Sequence, residues 1–292
     1  MLRSPVLAIS QRTRFLAQSV RYLQTSQTSI HKKVFKTEEP EKNQSSTVKS
    51  AVQFMTHPET QAHMTQLLAD GLHHTVKYSS RPRQIQIYLD DQETQFIGKE
   101  GCGPSSFISG VIFKRIFPDA TVSILCSGYK DPLGNDMLAH VCNQIEFSNN
   151  GKPQPFIADS TWRQFAFQSR SSISPAQKTY LFDHPVVLFL PENKLLNHLK
   201  AIYTSIVTET HFDHVVALNW SRKDNSVSAQ VTNQLTLLHE ALNEPDSIKS
   251  SRIIPKLACD YMRHLYFFFK TQDVEEKLES LKKVYESCKV TN

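Results

Sequence analysis

The sequence predicts an α+β fold, and three observations predict it. Apolar residues recur at helical spacing in two places, at Met64, Leu67, Leu68, Leu72 and Val76 and again at Ile108, Ile112 and Ile116. Between residues 84 and 159, short segments alternate apolar with polar, which is strand patterning, and two of them are joined by a hairpin signal. Residues 227–290 then return to mostly helical patterning. At 292 residues with 39% apolar content the chain can build a real core, with part of it left outside.

The elements follow in order. The first 37 residues contain no Asp or Glu, but hold Arg3, Arg12, Arg14, Arg21, Lys32, Lys33 and Lys36 among scattered apolar and Ser/Thr/Gln positions. Such an Arg-rich, acid-poor amphipathic start resembles a mitochondrial transit peptide. A disordered basic tail, or the export signal or host-organelle address of a secreted bacterial effector, are the other readings. Residues 38–50 read as a polar linker, so the folded part is expected to begin near Ala51. His57-Pro58-Glu59 opens a helix, with Pro in its first turn. The alternation from Gln84 to Leu89 predicts a strand. Gly101-Cys102-Gly103-Pro104 is a turn, and a helix is expected from Ser105 to just before Pro118. Val122–Cys126 and His140–Phe147 read as strands, and the latter turns through Ser148-Asn149-Asn150-Gly151 into a returning strand that ends at Asp159.

A turn centred on Asn149-Asn150 sets His140 opposite Asp159. A turn on Asn150-Gly151 sets Asp159 opposite Cys142 and diagonal to His140. Both registers leave His140 and Asp159 on one face within reach. Cys102, just before a helix N-terminus, meets unpaired N–H groups and the positive end of the dipole, so its thiol is expected to ionise more readily than usual. An imidazole can take a thiol's proton, and a carboxylate behind the imidazole fixes its tautomer. Cys126 and Cys142 read as structural. After a buried-strand signal at 186–190 and a helical stretch at 195–206, the C-terminal region carries Leu265-Tyr266-Phe267-Phe268-Phe269, expected to be core. The chain thus divides into a basic segment and linker over 1–50, a catalytic-like α+β domain over 51–220 and a helical region over 221–292.

The residues Cys102, His140 and Asp159, with Ile157-Ala158-Asp159-Ser160-Thr161-Trp162-Arg163-Gln164-Phe165, carry a resemblance. Cys at a helix start, then a strand opening with His, then a hairpin to a strand ending in Asp, resembles the papain-like and transglutaminase-like superfamily. The pattern is similar to the glutamine deamidase domain of Pasteurella multocida toxin, including a Gln five residues after the Asp, here Gln164. The resemblance spans residues 95–166. It implies a papain/transglutaminase-like core, Cys102 as nucleophile, His140 as base and acid and Asp159 as its orienter. Gln164 and Trp162 would be supporting residues. Where papain-type enzymes place an oxyanion Gln six residues before the Cys, this chain has Phe96, and Gln95 is the nearest amide.

The function expected from this is thiol-dependent acyl transfer on an amide, foremost deamidation or transamidation of protein glutamine side chains. A cysteine peptidase or isopeptidase, and a non-enzymatic interaction protein on an inactive papain-like fold, are the alternatives. No cofactor is called for, and a protein substrate is the expected partner. A net charge of +5 with no dense Lys/Arg stripe beside aromatics argues against nucleic acid. No run of about 18 apolar residues suggests a membrane span. Five cysteines without a CxxC pair argue against a disulfide framework, and the histidines show no metal-ligand spacing.

Overall fold

A computed structural model describes residues 45–78, 85–89, 96–99, 101–130, 136–149, 151–166, 185–194, 225–244, 247–258 and 260–290. Residues 1–37, Gln95 and the helix-period stretch 195–206 lie outside the described residues. The architecture is α+β, with helices packed around an antiparallel sheet. Helix α1 (Ser46–Thr56) and helix α2 (Pro58–Tyr78) come first, then a small hairpin of β1 (Gln86–Leu89) and β2 (Phe96–Lys99). Helix α3 (Cys102–Ile116) leads into β3 (Thr121–Lys130), β4 (Asp136–Asn149) and β5 (Lys152–Asp159). A short 3-10 turn (Trp162–Ala166) follows, then β6 (Leu188–Pro191), and the four strands pair in sequence order, β3-β4-β5-β6. Helices α4 (Asn225–Asn243), α5 (Ser247–Ile253), α6 (Asp260–Phe269) and α7 (Gln272–Val290) complete the described chain.

The fold begins earlier than the linker composition suggests. Helix α1 starts at Ser46, ahead of Ala51, and buries Val48, Ser50, Ala51, Phe54 and Met55. Ser45 caps it by accepting a hydrogen bond from the Val48 N–H. A Ser/Thr-rich stretch looks like linker in composition, yet the same hydroxyls are good N-caps.

Helix α3 is the pivot of the core. Every residue from Pro104 to Phe113 is buried, as expected for a helix packed on all sides. At Gly110 an added Cβ would come within 2.8 Å of Leu235 and 2.9 Å of Asn143, so only glycine lets α4 and β4 approach α3 this closely. A chain of aromatic rings ties the layers together. Phe54 of α1 and Tyr285 of α7 both meet Phe117, which meets Phe147 of β4, then Phe156 of β5 and Phe189 of β6. Of the aromatic run in α6, Leu265, Phe268 and Phe269 are buried, while Phe267 is 57% exposed. Its partial exposure is the ordinary consequence of helical geometry, since consecutive residues cannot all face one core.

Helix α4 covers the β3 edge of the sheet. Thr232 Oγ1 accepts the Ile124 N–H at 2.8 Å and lies 3.3 Å from the Ile124 carbonyl, and Ser228 Oγ accepts the Cys126 N–H at 3.0 Å. Ser228 and Thr232 are one helical turn apart, and Ile124 and Cys126 are alternate strand residues, so the two repeats match closely along the edge. Hydroxyls here take the place of a neighbouring strand. No helix among the described residues is long and apolar enough to cross a membrane.

Candidate active site

Cys102 is the first residue of α3 rather than a turn residue ahead of it, and Gly101 is the N-cap, with no side-chain capping bond. The helix therefore starts before Ser105. Pro104 tolerates this position because a first-turn residue needs no amide hydrogen. The Ser105 N–H already donates to the Gly101 carbonyl at 2.9 Å. With Pro104 lacking an N–H, the amides of Cys102 and Gly103 are the first-turn donors that the helix leaves without an intrahelical acceptor. An added Cβ at Gly103, the residue after Cys102, would meet nothing within 4 Å. Ser106 Oγ lies 2.7 Å from the Cys102 carbonyl and 3.0 Å from the Val141 carbonyl, which pins the first turn of α3 to β4 beside His140. Deeper along the helix, Ser109 donates to Asn143 Oδ1 at 2.6 Å and Asn143 Nδ2 donates to the Ser106 carbonyl at 2.9 Å.

Two backbone features aim His140 and Asp159. The β3–β4 register slips between Ser127 and Gly128, which pair with His140 and Leu138, so Ala139 has no partner and a bulge directly precedes His140. A bulge adds local twist and redirects the side chain beside it. The β4–β5 ladder ends at Asn143 opposite Ala158, so Asp159 comes level with Cys142 and diagonal to His140. This is the register of a turn on Asn150-Gly151, and Gly151 takes the positive φ of 76° that the turn requires. The other register, with His140 directly opposite Asp159, is excluded.

The result is a buried pair. His140 Nε2 is 2.7 Å from Asp159 Oδ2, and each residue is 1% exposed. The other carboxylate oxygen, Oδ1, accepts the Thr161 N–H at 2.8 Å and the Thr161 hydroxyl at 3.3 Å. Both oxygens are thus held, and the carboxylate is fixed in orientation. Because Asp159 occupies Nε2, the ring nitrogen left for the Cys102 thiol is Nδ1. Gln164 Nε2 also reaches Nδ1, at 3.1 Å, and lies 3.1 Å from Thr161 Oγ1.

Electrostatics link the three groups. Burial by itself pushes the Cys102 thiol up, but the hydrogen bond and charge of His140, helped by the Val141 backbone, outweigh it, and the thiol falls below its ordinary value. Burial likewise disfavours a charged His140, yet the Asp159 carboxylate and the Cys102 sulfur reverse this and raise the imidazole to about 10. Both shifts act in the direction that favours a thiolate–imidazolium pair. Cys126 and Cys142 move the other way, both raised first by burial, so Cys102 is the acidified thiol of the three.

The structure brings Cys102, His140, Asp159 and Gln164 together. Trp162 is placed differently: it is buried, and its indole N–H donates to the Pro185 carbonyl at 3.0 Å, bracing the segment after Asp159 against the residues that lead into β6. It supports the site by packing, while Arg163, also buried, lies with its guanidinium 5.8 Å from the Trp162 ring centre. The Ser106–Ser109–Asn143 brace escapes the sequence reading. Its one visible signal is a row of serines at helical spacing in an otherwise apolar helix. Among the described residues no group of three or more His, Cys, Asp or Glu is placed to hold a metal ion. Comparisons with protein-family models, curated proteins and solved structures return no match.

Proposed function

We propose that this protein is a thiol-dependent acyl-transfer enzyme in which Cys102, His140 and Asp159 act as a triad on an amide, with the side-chain carboxamide of protein glutamine as the substrate. The buried 2.7 Å contact between His140 and Asp159, set beside a cysteine at a helix start, is the observation that carries this reading. The resemblance to the papain-like and transglutaminase-like superfamily supports it and supplies the choice of glutamine.

In this reading the Cys102 thiolate attacks the carboxamide carbon and forms a C–S bond. The oxyanion is met by the free amides at the start of α3, at Cys102 and Gly103. The imidazolium of His140 gives its proton to the nitrogen, the C–N bond breaks, ammonia leaves and a thioester remains. Water then attacks the thioester while His140 takes its proton. Glutamate is released and the thiolate is restored. An amine in place of water gives transamidation. Asp159 holds the Nε2–H of the ring throughout, so that Nδ1 faces sulfur.

Iodoacetamide near neutral pH is expected to alkylate Cys102 well before Cys126, Cys142, Cys259 and Cys288. Peptide mapping reads this, and equal labelling would sink the nucleophile assignment. Ammonia release from candidate proteins, lost in Cys102→Ala and His140→Ala, selects deamidation. New peptide termini select the peptidase alternative, and neither product from a fast-labelling Cys102 selects a binding role. We also propose a mitochondrial address in residues 1–37, which a fluorescent fusion of that segment tests; diffuse signal refutes it.

A further inference from the structure

Gln164 and Cys102 address the same ring nitrogen, and the hydrogens around them must be shared out. Thr161 has one hydroxyl hydrogen. Given to Asp159 Oδ1 at 3.3 Å, it leaves the hydroxyl oxygen as an acceptor toward Gln164. That turns the Gln164 amide nitrogen inward, and its second hydrogen faces His140 Nδ1 at 3.1 Å. An N–H directed at Nδ1 needs a lone pair there, so this arrangement belongs to a neutral ring protonated on Nε2. The thiolate–imidazolium pair needs the reverse, a hydrogen on Nδ1, which an inward amide nitrogen opposes.

We propose that Gln164 is a positioning residue that holds the ring neutral by donating to Nδ1. The imidazolium–thiolate pair forms at the expense of that hydrogen bond, because a protonated Nδ1 has no lone pair to accept it. This rests on Cys102 and His140 forming the reactive pair described above. The exchange balances without any outside reactant. The S–H bond of Cys102 breaks and an N–H bond forms at Nδ1. The Gln164 N–H loses its acceptor at Nδ1 in this step. The Thr161 backbone N–H stays on Oδ1 at 2.8 Å, so Asp159 keeps two donors throughout. Asp159 and Gln164 therefore pull the ring in opposite directions. The other titratable groups around the pair are Cys126 from β3 and Cys142 from β4, and the first turn of α3 carries no acid. Asp159 meets Nε2 and Gln164 meets Nδ1, on the side of the ring that the Cys102 thiol also addresses.

The test is the pH dependence of iodoacetamide alkylation at Cys102 in the full chain and in Gln164→Met, which keeps the length of the side chain and removes its polar hydrogens. The midpoint of thiolate formation is expected to fall by about half to one pH unit in the variant, the size of one net hydrogen bond to the neutral ring. A midpoint that stays put or rises overturns the inference. A substitution that only loosens packing has no reason to acidify the thiol. In the unmodified protein, 15N-detected titration of the His140 ring reads the same coupling. The Gln164 amide signals are expected to shift with the midpoint at which Nδ1 loses its proton, leaving the Nε2–H tautomer. Amide signals indifferent to that titration also overturn it. Slow labelling of Cys102 in the unmodified protein would instead remove the nucleophile assignment itself, so the two failures are told apart.

Discussion

Asp159 shows how much one carboxylate can set by its surroundings. Its Oδ2 takes the Nε2–H of His140 and its Oδ1 takes two donors from Thr161, so it accepts from both sides and donates to none. Asparagine at this position keeps the shape and reverses one partner. Its Oδ1 still accepts from Thr161, but its amide hydrogens face Nε2 and force the ring hydrogen onto Nδ1, toward sulfur. Asp159→Asn is therefore expected to raise the pH at which Cys102 alkylates and to lower turnover by about 10²- to 10⁴-fold. A pH–rate profile of alkylation beside the turnover rate checks both; an unmoved profile would mean that Asp159 is only structural. The same pair gives a signed stability effect. His140 is raised from 6.5 to about 10 on folding, so its proton contributes stability that is fully present below about pH 6.5 and is lost as pH rises through about 10. The lowered Cys102 thiol acts in the opposite sense and offsets this where the pair is ionised, so the effect is read in Cys102→Ala: its thermal unfolding midpoint is expected to fall between those values, and adding His140→Ala to flatten it.

At the scale of elements, the site is held by three local devices: a helix start, a bulged strand and a glycine turn. The helix and the hairpin are legible in the sequence, because helical spacing from Phe107 to Ile116 and strand alternation from His140 to Phe147 are strong local patterns. Two alternatives for the hairpin register are also legible, but the choice between them is not. It rests on how β4 and β5 meet in space, since both Asn149-Asn150 and Asn150-Gly151 are acceptable turns. The bulge at Ala139 has no sequence mark at all. It arises from fitting β3 against β4, and without it His140 would be turned by its regular strand geometry. The start of α1 was hidden for a different reason, in that capping residues and linker residues share a composition. Close approach offers the sharpest test of element packing. Gly110→Ala is expected to push α4 and β4 off α3 and cost about 1–3 kcal/mol in chemical denaturation. An unchanged denaturation midpoint would show that α4 and β4 yield freely at this contact.

Across the whole molecule, the C-terminal helices belong to the same core that carries the site. Tyr285 of α7 meets both Phe54 and Phe117, with ring centres 5.5 and 5.0 Å apart, and the Ser50 hydroxyl donates to the Cys288 carbonyl. Arg115 at the end of α3 donates from Nη1 to both carboxylate oxygens of Glu275 in α7. Meanwhile Ser228 and Thr232 of α4 satisfy the edge of β3, the strand paired with the one that bears His140. Truncation after residue 224 thus removes the cover of an edge strand and opens an aromatic core at once. The truncated chain is expected to be insoluble or to lack a cooperative unfolding transition, even though Cys102, His140 and Asp159 are all present. Thr232→Val separates the two contributions. It removes one edge hydrogen bond from Ile124 and leaves the aromatic contacts, with an expected loss of about 1–3 kcal/mol for a buried amide left without its partner. Chemical denaturation of that variant, with hydrogen exchange at the Ile124 amide, reads the edge alone. If instead the truncated chain folds cooperatively and alkylates at Cys102 as fast as the full chain, then β3 needs no cover, and the helical region has a role other than holding the site.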